Sequence, residues 1–176
     1  MLCSIVCTAS IQGPSDNPDH PVGNRNELTL AGLQPGRSHL TDALRRFSRH
    51  WKHPSEEEPD VYVWNLAGVQ VSVEVDDQKV VRVVTVEDHR LHAVAPAMPV
   101  LKRLETGRRL RLGDAPERLL ALYGKPFFRG PASLEGRDVQ LIVFNFSWAG
   151  AGVPQILEST FDQGRLIRMV LSADYY

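Results

Sequence analysis

Val69, Val71, Val73 and Val75 alternate with Gln70, Ser72 and Glu74. Successive side chains of a strand point to opposite faces, so this run specifies a strand with one buried face and one wet face. A helix would scatter the same valines around its circumference. The stretch that follows, VDDQKVVRVV at 75–84, is echoed 86 residues later by FDQGRLIRMV at 161–170. Asp76 aligns with Asp162, Lys79 with Arg165, Val80 with Leu166, Val81 with Ile167, Arg82 with Arg168 and Val84 with Val170. VYVWN at 61–65 is answered by LIVFN at 141–145, an offset of 80, and Gly36 by Gly113, an offset of 77. Offsets that grow in chain order are the mark of a duplication with loop insertions. The expectation is an α+β fold of two helix-plus-three-strand repeats, at 28–88 and 109–176, joined by a linker at 89–108. The helices then pack on one face of antiparallel sheet.

In the first unit Ser38 is placed to cap a helix whose apolar residues Leu40, Leu44, Phe47 and Trp51 fall at helical spacing. VYVWN, VQVSVEV and KVVRVVTV then supply three strands. In the second unit, LRLGDAPERLLALYGKP sets Asp114 three residues before Glu117, a capping-box spacing, with Pro116 in the first turn and Gly124 as the stop. Residues 127–133 and 148–155 read as loops, and the glycines of WAGAGVPQ as a turn, because a strand rather than a helix N-terminus follows them.

That same stretch, LRLGDAPERLLALYGKP, resembles the repeat opening of the β-lactamase-inhibitor protein family and of the small outer-membrane-assembly lipoproteins of the SmpA/OmlA group. Leu112, Gly113, Glu117, Leu119, Leu120, Leu122, Gly124 and Pro126 carry the resemblance. Asp114 and Ala115 depart from it, since the family has Met and then Ser or Thr there. In the first unit Gly36 and Ser38 fit, but no Gly-x-Pro follows the helix. The resemblance implies a helix on antiparallel sheet, in tandem, in an extracytoplasmic protein that acts by binding other proteins. It transfers no partner. The family's disulfides have no counterpart, because the two cysteines, Cys3 and Cys7, both lie within the first seven residues.

Composition narrows the function classes. At 176 residues and 43% hydrophobic content the chain has material for one domain or two small ones. A formal net charge of −1 offers no field to collect nucleic acid or anionic lipid. The densest basic segment, Lys102, Arg103, Arg108, Arg109 and Arg111, is broken by Glu105 and followed by Asp114 and Glu117, and reads as solvated surface. No stretch approaches the ~20 apolar residues that span a bilayer, so the chain is expected not to be membrane-spanning. Residues 1–10, MLCSIVCTAS, read as a truncated secretory signal, a short apolar tract before Thr8, Ala9 and Ser10. A cytoplasmic tail is the competing reading. Residues 11–27, rich in Pro, Gly, Asn and Asp, read as a flexible lead-in.

No catalytic constellation, cofactor motif or metal site stands out. HWKH (His50, His53) and HRLH (His89, His92) have a spacing that brings two imidazoles to one helix face, but neither carries the glutamate of an H-E-x-x-H site. They read as surface histidines. Phe144, Phe146 and Trp148 alternate on one strand, and Phe127 and Phe128 adjoin in a Gly- and Pro-bounded stretch. Aromatic residues are favoured interface anchors, although a core stripe explains the alternation equally well. The leading expectation is a non-enzymatic extracytoplasmic protein-binding or scaffold module whose partner is another protein, bound through Phe127, Phe128, Phe146 and Trp148. A small histidine-centred metal-dependent hydrolase and a cytoplasmic small-ligand-binding protein are the alternatives.

Overall fold

The alternating valines form β2 (Val69–Val75), flanked by β1 (Val61–Leu66) and β3 (Val81–Asp88) in an antiparallel meander. The structure is a computed structural model that describes residues 28–48, 50–53, 58, 60–88, 102–146 and 154–173. A second meander follows: β4 (Phe128–Leu134), β5 (Arg137–Phe146), β6 (Gln155–Asp162) and β7 (Arg165–Ala173). All seven join in one antiparallel sheet, in the order β1-β2-β3-β7-β6-β5-β4.

Two-residue turns set the strand registers. Ala67 and Gly68 take φ of 50° and 87°, and Gln163 and Gly164 take 47° and 75°. Positive φ at both central positions gives the turn whose twist matches that of the flanking strands, and glycine reaches it without strain. The longer turn into β3 is held by the Asp76 carboxylate, which accepts from the N–H groups of Gln78 and Val80 at 2.9 Å each.

This is a correction to the expected α+β fold of two helix-plus-three-strand repeats. Among the described residues, the helices are α1 (Leu40–Phe47) and α2 (Pro116–Tyr123), eight residues each, with Lys102 and Arg103 also helical, beside a single seven-stranded sheet. The molecule is predominantly β, and its second half has a fourth strand, β4. VDDQKVVRVV and FDQGRLIRMV lead into strands that are neighbours in the middle of the sheet, whereas VYVWN and LIVFN lie in β1 and β5, which do not pair. β3 and β7 pair with Val84 opposite Leu171 and Val86 opposite Met169. Each is a central strand with one buried face, and that shared demand alone favours similar sequences.

Register places Trp64, Val71, Val86, Met169, Ser159 and Ile142 in one row across the sheet, every one of them buried. This is the helix side. Phe47 of α1 meets Trp64 with ring centroids 5.3 Å apart, and Trp64 Nε1 donates to the Ser48 carbonyl at 3.1 Å. Tyr123 of α2 meets Phe144 at 5.6 Å and Phe146 at 5.9 Å. The opposite face carries Gln70, Glu87, Arg168, Thr160 and Leu141 in register, with Arg168 Nε 3.7 Å from the Glu87 carboxylate.

Each helix is led in by a segment tied to the start of a central strand. Gly36 N–H donates to Val81 and Leu40 N–H to Lys79, while Gly113 N–H donates to Leu166 and Leu166 N–H to Asp114. The expected caps differ. The Ser38 hydroxyl accepts from Gln34 N–H at 2.9 Å, and His39 opens α1, with the Asp42 carboxylate accepting its N–H at 2.9 Å. The Asp114 carboxylate accepts from Arg111 N–H at 2.9 Å, which leaves Ala115 at the start of α2. Trp51 is outside α1, because the chain leaves the helix at Ser48 and Lys52 bridges to Val63 at the sheet edge. α2 stops at Gly124 as expected, and Arg108 Nη1 donates to the Leu122 carbonyl at 2.6 Å, a favourable charge at a helix C-terminus.

Tyr123 couples this packing to pH. Its hydroxyl donates to Thr106 at 2.8 Å, and burial pushes its pKa up from 10, partly countered by the Thr106 bond and the Arg108 charge. The folded protein therefore keeps this proton to higher pH than the unfolded chain. The stability it contributes is intact below the ordinary tyrosine pKa and is lost as pH rises through the folded value. Urea titrations from about pH 8 to about pH 11 should show Tyr123→Phe losing stability less steeply than the parent at the alkaline end, after a cost of about 1 kcal/mol at neutral pH for the lost hydrogen bond.

Candidate functional site

β4 lies at the sheet edge, and no strand pairs with its outer side among the described residues. Leu134 and Arg137 close the turn through Glu135 and Gly136, whose φ values of 52° and 76° mark a two-residue hairpin. Such a closing pair is hydrogen-bonded. Alternation from it turns the main-chain groups of Phe128, Gly130 and Ala132 toward β5, and those of Arg129, Pro131 and Ser133 outward. Pro131 thus sits where its missing N–H costs no ladder bond, and it blunts the edge against indiscriminate strand addition.

At the start of β4 the chain departs from simple pairing. Phe127 N–H donates to the Val143 carbonyl at 2.8 Å, although Val143 is already opposite Phe128. Two residues therefore face one, and the Phe127 side chain is 71% exposed. Phe128 is half-buried on the face away from the helices, alongside Val143. Its ring lies over Gly130, where a Cβ would come within 2.8 Å of the ring, so glycine is what allows the ring to lie down there.

On the helix side of the same strand an open cleft of about 630 Å³ is lined by Arg129, Pro131, Asp138, Gln140, Phe161 and the Gln163–Gly164 turn. Arg129 and Asp138 are exposed, and no ion pair engages either among the described residues. Arg137, on the opposite face, is engaged by Glu135 at 3.7 Å and Asp162 at 3.4 Å. The arrangement offers an apolar floor with one cation and one anion at its rim, a surface for polar and apolar recognition.

The structure brings Phe127 and Phe128 together at β4 and puts Phe146 elsewhere. Phe146 is on the helix side of β5, half-buried, with its ring stacked 6.0 Å from Phe144. Trp148 lies outside the described residues, as do His89 and His92. HWKH is not helical: the His53 ring sits 4.6 Å from Trp51 and 5.1 Å from Tyr62, with Nδ1 2.8 Å from the Val61 carbonyl. Among the described residues, no group of three or more His, Cys, Asp or Glu converges, and no helix is long and apolar enough to cross a membrane.

Arg129 is not legible in the sequence, because Gly130 and Pro131 give 127–133 the composition of a loop, and Gln140 carries no signal of its own. The alternation was present, with Arg129, Pro131 and Ser133 on one side and Phe128, Gly130, Ala132 and Leu134 on the other. Glycine and proline concealed it, as they do on edge strands.

The chain matches no family model and no curated protein. Among solved structures it is similar to a DUF4309 family protein (YjgB) from Bacillus subtilis subsp. subtilis str. 168. The identity is 13% and the TM-score 0.47, over 81% of this chain and 83% of that one.

Proposed function

We propose that this chain is a non-enzymatic protein-binding module, acting outside the cytoplasm, that docks another protein on β4 with Phe127 as the anchor. The observation that carries the reading is Phe127 itself, a phenylalanine 71% exposed at the start of a free edge strand. Burying such a ring in a partner recovers on the order of 2 kcal/mol, and aromatic anchors of this kind dominate interfaces. Arg129 and Asp138 supply charge at the rim of the neighbouring cleft. With Pro131 at an outward position, only Arg129 and Ser133 offer outward main-chain donors along the strand. Side-chain recognition therefore contributes more than strand addition. The compartment rests on the leader at 1–10, outside the described residues, and on the resemblance at 112–126.

A photo-crosslinking residue at Ser133, introduced in cells that naturally make the protein, tests this directly. A discrete protein adduct is expected, its yield cut at least about tenfold by Phe127→Ser. The same substitution should leave the unfolding midpoint of the purified protein within about 0.5 kcal/mol of the parent, since the ring is exposed. An adduct of unchanged yield, or none from the parent, overturns the reading.

A further inference from the structure

Arg46, in the last turn of α1, and Arg103, 57 residues further on, cross one another. Arg46 Nη2 donates to the Arg103 carbonyl at 3.1 Å, and Arg103 Nη2 donates to the Arg46 carbonyl at 2.8 Å. The negative end of α1 accounts for Arg103. Arg46 reaches the other way, to the Arg103 carbonyl, where the helical residues Lys102 and Arg103 end.

Gly32 makes room for that turn. It has φ of +73° in a tight turn closed by reciprocal main-chain bonds between Leu30 and Leu33, 3.0 Å each. A Cβ there would lie 2.4 Å from Arg46 Cζ and 2.7 Å from both terminal nitrogens. The guanidinium thus rests on a backbone surface that any other residue would obstruct. Burial, and then the Arg103 charge, hold the Arg46 pKa below its ordinary value, so the two cations are within electrostatic reach of each other.

Nearby acids are already committed. Asp42 pairs with Arg45 at 2.6 Å, and Glu105 pairs with Arg111 at 2.6 Å. Among the described residues no carboxylate pairs with Arg46 or Arg103, and Arg46 Nε is a buried donor without an acceptor. Two positive charges held together without an anion are repulsive, and a buried donor without a partner is costly. A ligand with two negative charges relieves the repulsion and can accept from the remaining terminal N–H groups of both arginines, whereas a monocarboxylate neutralises only one charge.

We propose that Arg46 and Arg103 form a binding site for a doubly charged oxyanion of the phosphate or sulfate type, cradled at the Gly32 turn. The site is independent of β4 and of any protein docked there.

Calorimetric titration and thermal unfolding of the full chain with inorganic phosphate, sulfate, acetate and chloride at equal ionic strength test it. Phosphate and sulfate should bind and raise the melting temperature above the chloride value, with acetate near chloride. Arg103→Gln and Arg46→Gln should each weaken phosphate binding at least about tenfold. Arg103→Lys should retain part of it, because the charge stays and the fork is lost. Arg103 is exposed, so its variants report even if Arg46→Gln folds poorly. Equal shifts in chloride, equal binding of acetate, or unaltered phosphate affinity in Arg103→Gln overturn the proposal.

Discussion

Trp64→Ala should cost about 3–5 kcal/mol of stability, which is a large part of what a domain this size has. Trp64 is 2% exposed and anchors the first half of the sheet to α1. Its ring packs against Phe47, and its indole N–H satisfies the carbonyl of Ser48, where the helix ends. Truncation removes the ring contact, opens a cavity beneath the helix, and leaves that carbonyl without its indole donor. Chemical denaturation followed by far-UV circular dichroism gives the number. Trp64→Phe keeps the ring contact and loses the donor, so it should cost about 1–2 kcal/mol. Trp51→Ala is the matched control: 37% exposed and outside α1, it should cost less than about 1 kcal/mol. Equal losses at Trp64 and Trp51 would refute this account of the core.

The second large effect is expected at the seam between the halves. Leu171 is fully buried on β7, opposite Val84 of β3 and Leu157 of β6. Leu171→Ala should cost about 2–5 kcal/mol through the cavity it leaves. Because β3 and β7 are directly paired, the loss belongs to the whole sheet. Parent and variant should both unfold in one transition, with tryptophan fluorescence and circular dichroism coinciding at every denaturant concentration. Trp51 and Trp64 belong to the first half of the sequence and Trp148 to the second, so the comparison is made on a Trp148→Phe background, where fluorescence reports the first half alone. A fluorescence transition displaced from the dichroism transition would show that the halves unfold separately.

Much of the strand structure was legible from residue order. The period-two valines of β2 and the turn residues between β1 and β2 and between β6 and β7 act through their own φ, ψ and side-chain direction. The helix stop at Gly124 is equally local. The caps were less legible. Asp114 and Ser38 have the right chemistry for capping, yet both hydrogen-bond the chain just upstream, at Arg111 and Gln34. A short polar side chain chooses among nearby main-chain donors, and tertiary constraint on the lead-in segments decides which one it reaches.

The candidate site was read in part. Phe127 and Phe128 stand out in the sequence by aromatic character alone. Phe146 was grouped with them because strand alternation reports which residues share a face and is silent on which face the helices cover. Tyr123 and Phe144 show that Phe146 is on the covered side. Arg46 and Arg103 cannot be paired from sequence at all, since they meet only when α1 and the distant segment that precedes α2 come together at the Gly32 turn.

Residue order alone established the strands on either side of the Ala67–Gly68 and Gln163–Gly164 turns, their inward-facing side chains, and the absence of a strong net charge, because these depend on local period, backbone sterics and composition. Only the folded molecule decided that one sheet forms, that β3 and β7 are its seam, and that β4 completes its edge. Those outcomes depend on which strands meet across long stretches of chain. Two patterned strands look alike whether they belong to separate repeats or lie side by side in a common core.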